Sequence, residues 1–253
     1  MRAATLVILA AMSMSAAAQT DPSRNAATWY QRAIDQFQSL PQTQRDIILN
    51  GWDPADGPPP PELPSALGAA QGALQTFQRG TLQETCDFGL DYEQGFELLL
   101  PHLQPLRQLA KASNYDALVR LNDGDTDGAA ERLANMYRLS GHGGDDRILI
   151  SCLVGQAVFS SADQTVQYGI DRAAFNAGDS AKLLGAVQNL AGDDPFQYLE
   201  SVATEQEIAV DWITRRYDEA ESPEEFAQTI AGGLGEPTAD ALIGLDEESF
   251  DEA

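Results

Sequence analysis

Positive charge is scarce in this sequence. It has 15 Lys and Arg against 39 Asp and Glu, a formal net charge of −24. Lysine occurs only as Lys111 and Lys182; every other basic residue is Arg. Nucleic acid and anionic lipid surfaces draw affinity from Lys and Arg neutralising phosphates, so neither is an expected partner. Cysteine is nearly absent: Cys86 and Cys152 are too few for a disulfide-dense scaffold or a four-cysteine zinc site. Histidine occurs only as His102 and His142. The most apolar stretch, 148–159, is interrupted by Ser151, Gly155 and Gln156 and falls short of the roughly 20 residues that span a bilayer. There is no P-loop, dinucleotide fingerprint or haem motif, and no GxSxG context surrounds Ser151, Ser160 or Ser161.

What the chain does have is enough apolar material for a packed core, with 43% hydrophobic residues. The first 18 residues read as a cleavable export signal. Arg2 supplies the charged start, an apolar run follows to Met14, and Ala16-Ala17-Ala18 meets the small-residue rule for cleavage before Gln19. The expected location is therefore periplasmic or secreted, in a bacterium, with no stable membrane span after cleavage. In an oxidising compartment Cys86 and Cys152 are a candidate disulfide. Such a bridge would close a loop of about 67 residues and contribute on the order of 4 kcal/mol.

Beyond the leader the periodicity is helical throughout, and no strand pattern emerges. Ala26, Trp29, Tyr30, Ala33, Ile34 and Phe37 recur at steps of three and four, with Ser23 as cap and Pro41 as stop. A shorter helix is expected at 44–49, then a stiff proline-rich spacer at 53–64 carrying four consecutive prolines. Helices are expected at 65–80, 96–121, 127–139, 179–190 and 194–217. A further one starts at Pro223, where Ser222-Pro-Glu-Glu makes a capping box. A weaker helix is expected at 239–245. The segment 148–159 predicts the central, fully buried helix, since a helix apolar all round belongs inside. The fold class is all-α: one irregular multi-helix domain over 19–236, built of packed helical hairpins without a regular array. The residues 237–253 form an acidic C-terminal tail. From Tyr217 onward there are 12 acidic residues and no basic one.

Asp123, Asp125, Asp127 and Gly128 match the first half of a calcium loop, D-x-D-x-D-G, in which alternate carboxylates supply hard oxygens. The twelfth position, which closes such a loop with a bidentate Glu, is Ala134 here. The same residues also suit a helix–turn–helix corner: Gly124 takes positive φ, and Asp125 or Asp127 caps the next helix. Tyr115, Leu118 and Leu121 precede that turn, and Ala130, Ala134 and Tyr137 follow it. Over about 30 residues this hairpin resembles a tetratricopeptide-type repeat. The resemblance implies stacked helical hairpins; no second copy lies 34 residues away.

His142 with Asp145 and Asp146 is a candidate acid–base or metal cluster, the alternative being that one of the aspartates caps the helix that follows. Phe88, Tyr92 and Phe96, in an acidic aromatic segment held by two glycines, are candidate contacts for a partner, the alternative being that they pack onto the core. The carboxylates Glu200, Glu205 and Glu207 do not share one helical face.

Together these features point to an exported, acidic, non-catalytic binding or scaffold module of the cell envelope, whose partner is a protein or a cationic envelope component. A carboxylate-dependent envelope hydrolase is the alternative, and a calcium-responsive protein using the Asp123–Asp127 loop the third reading. No catalytic residue and no cofactor other than calcium is assigned.

Overall fold

The computed structural model describes residues 24–190 and 192–234. The expected leader at 1–18, the acidic tail at 237–253 and the helix at 239–245 lie outside the described residues. Nine α-helices are present among them: α1 Ala26–Gln38, α2 Gln42–Asn50, α3 Glu62–Thr81, α4 Leu103–Asp123, α5 Thr126–His142, α6 Leu149–Asp171, α7 Ala177–Gln188, α8 Tyr198–Glu219 and α9 Pro223–Leu234. Short 3-10 turns occur at Pro54–Asp56 and Tyr92–Glu97. The only extended pairing among the described residues is an isolated parallel bridge between Asn25 and Thr85. The all-α class is thereby established.

Local chemistry fixes most helix ends. The Asn25 side chain accepts from the Ala27 N–H and caps α1, in the role expected of Ser23. Gly124 closes α4 in the left-handed region at φ +80°, and Asp125 opens α5 by accepting from the Gly128 N–H. Asn176, not Asp179, caps α7, with Asp179 returning the favour from the third helical position as a capping box. Ser222 accepts from the Glu225 N–H at the start of α9. The Asp194 carboxylate takes the N–H groups of Tyr198 and Leu199, so α8 begins three to four residues later than the Asp-Pro signal predicts. Likewise α4 begins at Leu103 rather than Phe96, because residues 92–97 form the 3-10 turn that packs on α8.

The centre of the domain is α5, not the segment 148–159. Helices α3, α4, α6 and α7 all pack against α5. Its Ala129, Ala130, Leu133, Ala134 and Met136 are completely enclosed. The alanines let neighbouring helices approach closely, while Leu133, Met136 and Tyr137 supply the bulk of the buried area, about 1.5–3 kcal/mol for each large side chain. By contrast α6 leaves Ile150 49% and Leu153 45% exposed. On α8, too, large apolar side chains face outward: Leu199 and Val202 are 78% and 52% exposed. A separate small core of Trp212, Phe226 and Ile230 joins α8 to α9, with Phe96 edge-on to Trp212.

The proline-rich segment is a corner within the domain. It joins α2 to α3, which pack on each other, and the Trp52 indole N–H pins it by donating to the Gly57 carbonyl.

Candidate functional site

Two places gather polar chemistry: a buried cluster around both histidines, and a groove between α4 and α6.

In the cluster, Asp146 is enclosed together with His102. Its Oδ2 lies 2.8 Å from His102 Nε2 and accepts from the Ser151 hydroxyl, also at 2.8 Å. Phe88 stacks on the His102 ring at 3.9 Å, and the Tyr92 hydroxyl donates to the Asp146 carbonyl. Next to it, Asp145 accepts from the Cys86 N–H and from Gln197 Nε2. Burial holds its carboxyl above the ordinary range, opposed by His142. His142 bridges two elements: Nδ1 meets the Tyr30 hydroxyl at 2.7 Å and Nε2 meets the Gln83 carbonyl at 3.1 Å. Burial lowers the His142 pKa and raises that of Tyr30 well above its ordinary value. This fixes the exchange. A protonated phenol donates to Nδ1 of a neutral ring, whose Nε2–H donates to Gln83.

His142, Asp145 and Asp146 are thus brought into one region, as their sequence proximity predicts, but neither aspartate caps α6. The cap residue is Ile148, and the Leu149 N–H is taken by Glu205 from α8. Ser151 hydrogen-bonds the carboxylate rather than a histidine, so no nucleophile–base pair forms. The space beside these groups is about 20 Å³, room for about one water molecule. The cluster therefore ties the segment of Phe88 and Tyr92 to the start of α6, and those two side chains are spent on that contact. Phe96 alone of the three aromatic candidates is exposed, at 44%.

Cys86 and Cys152 are separate free thiols, both buried, which overturns the expected bridge. Cys86 sits beside Asp145 and Asp146, while Cys152 faces the Ser201 hydroxyl at 3.0 Å, so the two belong to different contacts. Burial, with nearby carboxylates, pushes the Cys86 thiol up, and Cys152 is also raised by burial.

The calcium reading also finds its ligands engaged. Asp125 accepts from Gly128 and pairs with Arg120, and Asp127 pairs with Lys182 from α7 at 2.8 Å. Among the described residues no group of three or more His, Cys, Asp or Glu side chains is placed to hold a metal ion. The loop acts as the corner between α4 and α5.

The groove is open, and no sequence motif marks it. Helices α4 and α6 run in the same sense along its two walls, and the corner after α2 forms a third side. It comprises two adjoining spaces of about 430 and 660 Å³ that share Asn114, Tyr115 and Ser161. The first is lined by Gln104, Arg107, Gln108 and Lys111 of α4 and has no acidic residue in its wall. The second is lined by Trp52, Asp53, Asp56, Gln164 and Tyr168. The Thr165 hydroxyl donates to Asn114 Oδ1, which leaves the Asn114 NH₂ for the groove. Gly51 makes the corner fit: it has φ +80°, and an added Cβ would lie 2.0 Å from the Tyr115 hydroxyl. Lys111 ties α4 to α2 through the Leu49 carbonyl. The available signal was the pair Arg107 and Lys111, one helical turn apart in a chain poor in cations.

No protein-family model, curated protein or solved structure matches this chain. Function therefore rests on the site alone.

Proposed function

We propose that this protein is an exported, non-catalytic binding module of the cell envelope that holds a small polar ligand between α4 and α6. The observation that carries this reading is the groove. It combines ligand-sized volume with aromatic side chains, Trp52, Tyr115 and Tyr168, and unengaged polar groups such as Arg107 and Gln108. The export half of the reading rests on the leader-like first 18 residues. It is in keeping with the finding that no helix among the described residues is long and apolar enough to cross a membrane. The α4–α5 hairpin is in keeping with the tetratricopeptide likeness, and the acidic exterior suits a cationic envelope component as neighbour.

The hydrolase alternative gains no support. Asp53 and Asp56 lie exposed on a turn, with Asp53 capping Ala55, while Asp145, the carboxyl raised by burial, is closed off from the groove.

The test is native mass spectrometry of the protein recovered from the envelope fraction, beside the groove-filling variant Ser161→Trp. A small ligand retained by the wild type and lost from the variant, on a chain beginning at Gln19, is the expected result. Retention by both forms, or recovery of an uncleaved chain only in the cytosol, refutes it.

A further inference from the structure

The groove is electrically polarised along its length, and we infer that its ligand is a short peptide with free termini. Its carboxylate would lie at Arg107 and Lys111 and its ammonium group at Asp53 and Asp56. The inference rests on the groove being the binding site, as proposed above.

The polarity is built from residues on α4 and on the corner after α2. At one end Arg107 is exposed and has no ion-pair or hydrogen-bond partner among the described residues. Lys111, one turn along, has no carboxylate partner. The wall around them contains no Asp or Glu, which is unusual in a chain with 39 of them. At the other end Asp56 is exposed with its carboxylate unpaired among the described residues, and Asp53 uses one oxygen for its cap.

Three further points select a dipolar ligand of peptide kind. A simple anion would meet the repulsive field of a chain carrying −24, whereas a zwitterion of zero net charge meets none and gains at both ends. Between the ends the wall offers Gln108, Asn114 and Gln164, side-chain amides that both donate and accept and so match the backbone of an extended peptide. The length also agrees. The α4 wall of the groove runs from Arg107 to Leu118, about 17 Å at 1.5 Å per residue, which gives room for about five extended residues.

The experiment is equilibrium dialysis of the purified protein against three pools of randomised pentapeptides: with free termini, N-acetylated, and C-amidated. Retained peptide is quantified by mass spectrometry. The free pool should be retained, with either cap reducing retention about tenfold, the scale of one charge-assisted hydrogen bond. Arg107→Gln should lower retention of the free pool and reduce the penalty for C-amidation alone, since Lys111 remains. Asp56→Asn should reduce the penalty for N-acetylation alone, since Asp53 remains. Both side chains are exposed, so neither variant disturbs the core. Equal retention of all three pools, or capping penalties unaltered by the variants, overturns the inference. A neutral oligosaccharide pool distinguishes the remaining failures. If that pool is retained by the wild type and lost in Ser161→Trp, while no peptide is, the groove stands and the peptide assignment falls. If Ser161→Trp changes the retention of nothing, both fall.

Discussion

Asp116 of α4 and Arg132 of α5 are buried together, with Arg132 Nε 2.7 Å from Asp116 Oδ2. The same carboxylate oxygen takes Arg120 Nε at 2.8 Å, while Gln71 of α3 donates to Oδ1 and accepts from Arg132 Nη2. Three helices are thus joined by one satisfied polar network inside an otherwise apolar contact.

That network yields an asymmetric prediction. Asp116→Ala leaves Arg132 charged, enclosed and without its carboxylate, and should cost about 3–5 kcal/mol of unfolding free energy. The double variant Asp116→Ala, Arg132→Met removes both charges and should recover most of the loss. Urea unfolding of the two proteins checks this. A double variant no more stable than the single one would show that the pair itself is the larger contributor.

Acid should weaken the fold through His142. Its folded pKa lies below 6.5 because of burial, so the unfolded chain binds the proton more readily. Stability from this group is complete above about pH 6.5 and falls as pH drops through that value toward the lower folded one. Asp145 acts in the opposite sense. Its folded pKa is raised from 3.8, so its share of stability is present at low pH and falls as pH rises from 3.8 to the raised value. Unfolding free energies measured from pH 4 to 8 should show a drop below neutrality that His142→Gln flattens. An unaltered slope in that variant would assign the acid sensitivity elsewhere.

Thiol chemistry gives a third prediction. Alkylation in denaturant without reductant should add two groups per chain, since both cysteines are free. Without denaturant the reaction should be slow, because both thiols are buried and held protonated. A mass showing no alkylation under denaturing conditions would reveal a disulfide and require the Cys86 and Cys152 segments to move together.

Calcium is expected to leave the protein unaffected. With Asp125 committed to Arg120 and Gly128, and Asp127 to Lys182, binding would first have to break ion pairs. The melting temperature should be the same in millimolar calcium and in chelator. A rise in calcium would mean the corner rearranges to admit the ion.

Helix content was the most legible part of the sequence, because apolar residues at steps of three and four mark a helix whatever it packs against. The α1 stripe reappears in the structure, and Ser222 caps α9 by accepting from the Glu225 N–H, although the Glu225 carboxylate takes the N–H of Glu221 rather than that of Ser222. What composition could not convey was which helix lies at the centre. The stretch 148–159 is richer in large apolar residues, yet α5 is the enclosed helix, because its alanines permit contact on several sides and its Arg132 and Asn135 are accommodated inside. The buried cluster was half legible. His142, Asp145 and Asp146 stand together in the chain with Ser151 five residues on, but His102 joins Asp146 only through the packing of the start of α4 against the start of α6. The groove was the least legible, since its walls come from residues more than 40 positions apart that carry no motif.

The central position of α5 also bears on the order in which the chain can become stable. Synthesis runs from the amino terminus, so α3 and α4 emerge before α5, the helix that packs on both. Helices α1, α2 and α3 can pack on one another and on α4 meanwhile, but the faces of α3 and α4 that meet α5 stay open until residue 142 is made. A truncation ending near residue 124 would be a sticky fragment, whereas one ending after α7 would already contain every helix that packs on α5.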